Sequence, residues 1–307
     1  MPSTLSIDNS GLQVLGHRGA ILHGGPHHEN SAGAFQEALD GADGFETDAC
    51  VDADGEVFLV HEAKYVTAEA GVVYCLSEHL DQSSQQLLGN RRIDQLRTAE
   101  MLQLRLRDGS ALPALQEAIR LVGSLPGKLL DIEIKGYETV LAVVQIVDAA
   151  LQAQVLQPSQ VLLSTFNHPA LSVVRERLPQ SPVGAIFLTP DQPSASLFPW
   201  HPGSAGSYTP LTAATLRAPE LQAIGPDIIV VPEEMLCEAT LDLVSEHLPQ
   251  ARLMCWVFTE RKNHEAADLL RRLLRLQSSG RIAGVMVDNP RDFKRAARAH
   301  GIHLATP

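Results

Sequence analysis

Three short runs place unlike polar residues inside otherwise apolar sequence. They are Val14-Leu15-Gly16-His17-Arg18-Gly19; Phe45-Glu46-Thr47-Asp48, followed by Val57-Phe58-Leu59-Val60-His61-Glu62; and Leu130-Asp131-Ile132-Glu133-Ile134-Lys135. Side chains alternate faces along a strand, so Glu46 and Asp48 share a face, as do Glu133 and Lys135. Ile132 and Ile134 then face outer helices. A buried carboxylate without a partner is costly, and one hard divalent cation would satisfy Glu46, Asp48 and Glu133 together. Two imidazoles, His17 and His61, lie in step with these acids and can exchange protons near neutral pH. With Arg18 and Lys135 beside them, the set describes a site for a phosphate ester, in which a metal polarises phosphoryl oxygens and activates a nucleophile.

Such a site needs a scaffold that gathers several strand ends. Short apolar runs read as strands near 13–18, 44–49, 56–61, 129–135, 160–166, 183–188, 227–231, 253–258 and 284–287. Amphipathic stretches read as helices over 31–39, 112–122, 137–152, 168–178, 211–223, 236–247, 260–277 and 291–300, with apolar residues at spacings of three and four, as in Leu112, Leu115, Ile119 and Val122. Strand and helix alternating along the chain predict a parallel sheet with helices outside. A (β/α)₈ TIM barrel of the α/β class takes eight strands, one fewer than this reading supplies. The surplus has a physical origin: residues 50–55 form a loop too short for a crossover helix, so the run at 56–61 returns as a hairpin. The chain reads as a single domain over 1–307 with an insertion at 62–110, after the second strand and its hairpin. All the candidate residues then fall at C-terminal strand ends, where this fold carries its active site. A second irregular stretch, 189–210, holds five prolines and reads as a lid or a surface excursion.

Composition narrows the function classes. The 307 residues carry a formal net charge of −12, with 45 % hydrophobic and 20 % charged residues. That balance is ordinary for a globular chain, and the acidic excess argues against nucleic acid or an anionic membrane as partner. Four scattered cysteines, Cys50, Cys75, Cys237 and Cys255, have no metal-ligand spacing and read as reduced thiols. No signal peptide and no apolar run of about 20 residues is visible, so the expectation is a cytoplasmic enzyme without membrane insertion.

The order His-Arg-Gly, then Glu29-Asn30 before an amphipathic helix, then Glu-x-Asp, then Asp-Gly and an apolar run ending in His, then Glu-x-Lys resembles the glycerophosphodiester phosphodiesterase family. Ser164-Thr165-Phe166, Trp256 and Val287-Asp288-Asn289-Pro290 are similar to its later strand ends. The resemblance implies metal-dependent hydrolysis of small glycerophosphodiesters to sn-glycerol 3-phosphate and an alcohol. It further implies that Glu46, Asp48 and Glu133 bind one divalent cation, Ca²⁺ or Mg²⁺, and that His17 and His61 are the general base and acid, in either order. Arg18 and Lys135 would hold the phosphate, Glu29 would approach the metal or His17, Asn30 would support the loop and Trp256 would border the substrate.

The sequence departs from the family pattern at Glu62, where aspartate is usual, at Ser31, around Trp256, and in a longer 19–29 loop carrying His23, His27 and His28. Those histidines suggest a second metal site, but side chains in a Gly-rich loop are more often solvated. Asp52-Ala53-Asp54-Gly55 reads as a turn and Asp288 as a strand terminator. Two rival functions remain: a phospholipase-type phosphodiesterase acting on lysophospholipids or phosphoinositides, and a non-catalytic barrel that binds a phosphorylated metabolite.

Overall fold

Eight of the apolar runs pair side by side into a closed parallel barrel. The computed structural model describes residues 11–21, 25–61, 64–67, 71–74, 76–190, 209–257 and 263–305. Expectations placed on His23, Glu62, Cys75, Phe258 and Glu260, and on residues 191–208, lie outside the described residues. The staves are β1 (Gln13–Gly16), β2 (Gly44–Val51), β6 (Leu129–Ile134), β7 (Val161–Thr165), β8 (Val183–Ile186), β9 (Ile228–Pro232), β10 (Arg252–Trp256) and β11 (Ile282–Val287). Each pairs with the next, and β11 and β2 both pair with β1, which closes the ring.

The ninth run, β3 (Val57–Leu59), is the expected return strand, antiparallel to β2 with Cys50 opposite Phe58. Residues 62–110 then contribute a two-stranded hairpin, β4 (Lys64–Thr67) and β5 (Gly71–Tyr74), and the short helices α2 (Leu76–His79), α3 (Gln82–Leu88) and α4 (Thr98–Met101). Leu76, Leu80, Leu88, Met101 and Leu106 from this segment pack with Phe58 and Val60 in a small apolar cluster of their own.

Outside the barrel lie α1 (Ala32–Gly41), α5 (Leu115–Gly123), α6 (Thr139–Gln152), α7 (His168–Arg177), α8 (Ala213–Leu216), α9 (Pro219–Ile224), α10 (Glu238–His247), α11 (Asn263–Leu276) and α12 (Pro290–Ala299). Two helices differ from the sequence reading, and proline explains both. Pro113 cannot donate to a helical ladder and disfavours helix at the residue before it, so α5 starts at Leu115 rather than 112. Pro219 breaks the expected 211–223 helix into α8 and α9 and becomes the first residue of the second piece.

Alternation along the staves divides the core into two layers. Ile132 and Ile134 join the large cluster under the outer helices. Leu15, Leu129, Leu162, Ile228, Val230 and Met254 fill the barrel interior. Burying each such side chain contributes about 1.5–3 kcal/mol. Along β6 the inward series begins with Leu129 and continues through Asp131 and Glu133 to Lys135, so the interior passes from an apolar floor to a charged mouth.

Candidate active site

The chain leaves β1 through a tight turn. Arg18 and Gly19 have φ of 52° and 89°, a region that side chains with a Cβ rarely adopt, and a Cβ on Gly19 would come within 2.8 Å of Ala34 in α1. This turn brings the Arg18 backbone N–H to Glu46 Oε2 at 2.8 Å. Ser31 caps α1 by accepting from the Ala34 amide. Just before it, Asn30 sits buried with φ of 54°. Asn30 donates from Nδ2 to Asp48 Oδ2 at 2.9 Å and accepts at Oδ1 from the Thr47 hydroxyl at 2.7 Å. Asparagine tolerates this backbone better than most residues and supplies both a donor and an acceptor. Its role in supporting the loop is therefore geometric as well as electrostatic.

At the mouth of the barrel, His17, Arg18, Glu46, His61, Glu133 and Lys135 line one cavity of about 190 Å³. The opposite wall is apolar, made by Phe166, Ile186, Leu188, Val230, Trp256 and Met286. Phe166 and Trp256 meet edge to face at 6.0 Å. Asp48 lies against the polar wall, 1 % exposed. Glu29 sits at the rim, with Oε1 2.9 Å from Arg18 Nη1 and 3.5 Å from His79 Nδ1.

Glu46, Asp48 and Glu133 each present a carboxylate oxygen within 4.8 Å of the others. Their charges are unequally compensated. Burial opposes ionisation of Asp48, yet Lys135, His61 and Arg18 hold its carboxyl well below the usual carboxylate range. Lys135 Nζ is 2.8 Å from Asp48 Oδ1 and also binds Glu133, while Arg18 Nε is 3.3 Å from Asp48 Oδ2. Glu46 has the reverse balance: burial first, then the charges of Asp48 and Glu133, push it well above the usual range. Burial also raises Glu133, against the pull of Lys135. Glu46 Oε1 is buried without a hydrogen-bond partner among the described residues. An orphaned oxygen, two disfavoured carboxylates and an all-oxygen donor set fit a hard cation.

The two histidines occupy different settings. His17 donates from Nδ1 to Asp288 Oδ1 at 2.9 Å, leaving Nε2 as the nitrogen able to take or give a proton. Burial, and then the charge of Arg18, hold His61 well below the ordinary imidazole value, so its neutral form is favoured.

Asp288 directly follows β11, as a strand terminator would, and it also contacts His17. Asp131 is a second residue outside the initial set: it is fully buried, accepts from the Ser164 hydroxyl at 2.7 Å, and burial pushes its carboxyl up to about 8. A third is His79, at the end of α2, whose ring centroid lies 6.1 Å from that of His61. Of the loop histidines, His27 packs over Gly33, and His28 meets the edge of His79 at 5.3 Å.

The sequence pattern of the Glycerophosphoryl diester phosphodiesterase family matches residues 17–292, most of the chain. No curated protein matches it. Among solved structures, a glycerophosphodiester phosphodiesterase from Parabacteroides distasonis aligns at a TM-score of 0.63 with 16% identity, over 95% of this chain and 99% of its own. A phosphodiesterase from Oleispira antarctica, in complex with the product sn-glycerol-3-phosphate, gives 0.63 with 20% identity over 93% and 96%. The glycerophosphodiester phosphodiesterase of Thermotoga maritima gives 0.57 with 20% identity over 93% and 98%. At these identities the likeness is one of fold.

Proposed function

The chain belongs to the glycerophosphoryl diester phosphodiesterase family, and we propose that its barrel mouth hydrolyses small glycerophosphodiesters to sn-glycerol 3-phosphate and an alcohol. The observation that carries this reading is the convergence of Glu46, Glu133 and two imidazoles on one cavity, with an Asp48 oxygen within 4.8 Å of both carboxylates. Glu46, Asp48 and Glu133 would hold one divalent cation, Ca²⁺ or Mg²⁺. When bound, that ion supplies Lewis-acid polarisation of the phosphoryl oxygens.

The remaining work falls to the chain's own side chains. Arg18 and Lys135, the cationic groups of the lining, meet the anionic phosphodiester, and Arg18 is itself oriented by Glu29. One imidazole deprotonates the nucleophile, which is either water or the adjacent glycerol hydroxyl. The other protonates the departing alkoxide. His17 and His61 are the pair able to do this, and the Asp288 carboxylate orients the His17 ring by accepting from its Nδ1. Trp256, with Phe166, walls the apolar side of the cavity and excludes water from it. We read residues 62–110 as an insertion in a single barrel domain. The free thiols of Cys237 and Cys255 favour a reducing compartment, the cytoplasm. Among the described residues no helix is long and apolar enough to cross a membrane.

The test is sn-glycerol 3-phosphate release from choline, ethanolamine and glycerol diesters across a series of divalent ions. Release that stops with EDTA, and falls by roughly 10²-fold or more in His17→Ala and His61→Ala, is the expected result. Equal turnover by the folded His17→Ala protein would refute the assignment, and trapping a cyclic phosphate would identify the hydroxyl route.

A further inference from the structure

A second group of ligand-type side chains adjoins the carboxylates and shares His61 with the cavity that Glu46 and Glu133 line. Glu29 comes from the β1–α1 loop, His61 follows β3, and His79 ends α2; one oxygen and one ring nitrogen from each imidazole lie within 4.8 Å of one another. We propose that Glu29, His61 and His79 form a separate site for a borderline transition-metal ion of the Zn²⁺ class, distinct from the oxygen-only cluster.

The donor set is the first argument. Two imidazole nitrogens and one carboxylate suit Zn²⁺, Co²⁺ or Fe²⁺, whereas three carboxylates suit Ca²⁺ or Mg²⁺. Spacing is the second. His79 Nδ1 and Glu29 Oε1 stand 3.5 Å apart, and a tetrahedral ion with bonds of about 2.0–2.1 Å needs a ligand–ligand edge of roughly 3.4 Å. The third is local support. All three side chains are half-buried, and His28 braces the pair: its ring abuts His79 at 5.3 Å and its Nδ1 donates to the Glu29 carbonyl at 3.0 Å. The backbone N–H of His28 is in turn held by Asp108 at 2.8 Å.

The opposing group is Arg18, whose Nη1 holds Glu29 Oε1 at 2.9 Å. An incoming ion takes over as the counter-charge of Glu29, while Arg18 keeps Asp48 through Nε at 3.3 Å. Three protein ligands leave a fourth position open, so the ion exchanges with solvent rather than serving as a closed structural centre. Occupancy also ties up a lone pair of His61. Inhibition of hydrolysis by this ion rests on the catalytic role given to His61 above, whereas the binding itself does not.

The probe is Co²⁺, added to EDTA-stripped protein in excess Mg²⁺. The expected result is one equivalent bound with visible ligand-field bands of nitrogen-containing coordination, displaced by Zn²⁺. His79→Phe keeps a ring against His28 but removes the donor, and His79→Ala removes both; each is to weaken Co²⁺ binding at least tenfold and abolish those bands. Both variants are to retain wild-type turnover in Mg²⁺ and lose inhibition by Zn²⁺. No Co²⁺ bands in wild type, or unchanged bands in a folded His79 variant, overturns the site. Bands without any phosphodiester turnover leave the site standing and count against the hydrolase reading instead.

Discussion

Replacing Asp131 by asparagine isolates the cost of crowding carboxyl groups inside the barrel. The side chain is fully buried and, chiefly through that burial, keeps its proton up to about pH 8, against 3.8 for an ordinary aspartate. Unfolding therefore releases a proton throughout that window. Stability from this group is whole below 3.8 and is lost as pH rises toward 8, at about 1.4 kcal/mol for each pH unit. By pH 7 the accumulated loss is roughly 4 kcal/mol, a large share of the stability of a typical domain.

The side chain introduced by Asp131→Asn would not titrate. Its Oδ1 can still accept from the Ser164 hydroxyl, and its amide takes the place of Oδ2, which has no hydrogen-bond partner among the described residues. The unpaired amide donor costs about 1–3 kcal/mol at every pH, which moves the whole stability curve without changing its slope. Urea unfolding followed by far-ultraviolet circular dichroism in EDTA, at pH 5, 6, 7 and 8, separates the two effects. The variant's advantage over wild type is to grow by roughly 1.4 kcal/mol per unit up to pH 8. A constant offset between the two proteins, whatever its size, would refute the reasoning, because it would mean that Asp131 titrates alike in the folded and unfolded chains.

Glu46→Gln removes the carboxylate that burial, Asp48 and Glu133 disfavour most, so in EDTA the variant is to melt above wild type while losing both divalent-cation binding and turnover. A cation that raises the melting temperature of both proteins equally contradicts this. Asn30→Ala loses the bonds to Asp48 and Thr47 and places alanine at φ 54°, a destabilisation of roughly 2–4 kcal/mol that the urea midpoint reports. An unchanged midpoint would show that the loop carries no such constraint. Asp288→Asn leaves His17 its neighbour but not the charge, and kcat is to fall by roughly 10²-fold with little change in melting temperature. Turnover within twofold of wild type would remove Asp288 from the catalytic account.

Most of the site was legible because strand alternation is strict. Glu46 and Asp48, and Glu133 and Lys135, had to share faces, and the short 50–55 loop had to make a hairpin. Asp131 obeys the same alternation as Glu133, two residues along the same run. Asp288 was harder, since its contact with His17 joins the first and last staves across a closure that no local pattern encodes. His79 gave no signal at all. It arrives through short helices in 62–110, whose placement is set by their own apolar cluster rather than by the barrel repeat. Helix limits shifted where Pro113 and Pro219 overrode the apolar spacing.

The register between β2 and β6 gathers carboxyl groups at this end of the barrel, an arrangement that fits a cation better than it serves stability. Glu46 is paired with Asp131 and Asp48 with Glu133, so carboxyl groups face each other directly on neighbouring strands. Such pairs crowd charge, and two residues earlier in the register the interior uses Leu15 and Leu129 on either side of Gly44 instead. Nothing about closing the ring requires the upper layer to differ. Lys135 and Arg18 offset the charge of Asp48, which is the member they hold below the ordinary range; Glu46 and Glu133 are left raised. Two cationic side chains thus leave the carboxylate cluster short of positive charge at the point where Glu46 Oε1 has no partner. The presence of that oxygen, on the side of the cavity that Arg18 and Lys135 also line, is what a site poised to take up a cation and an anionic ester together requires.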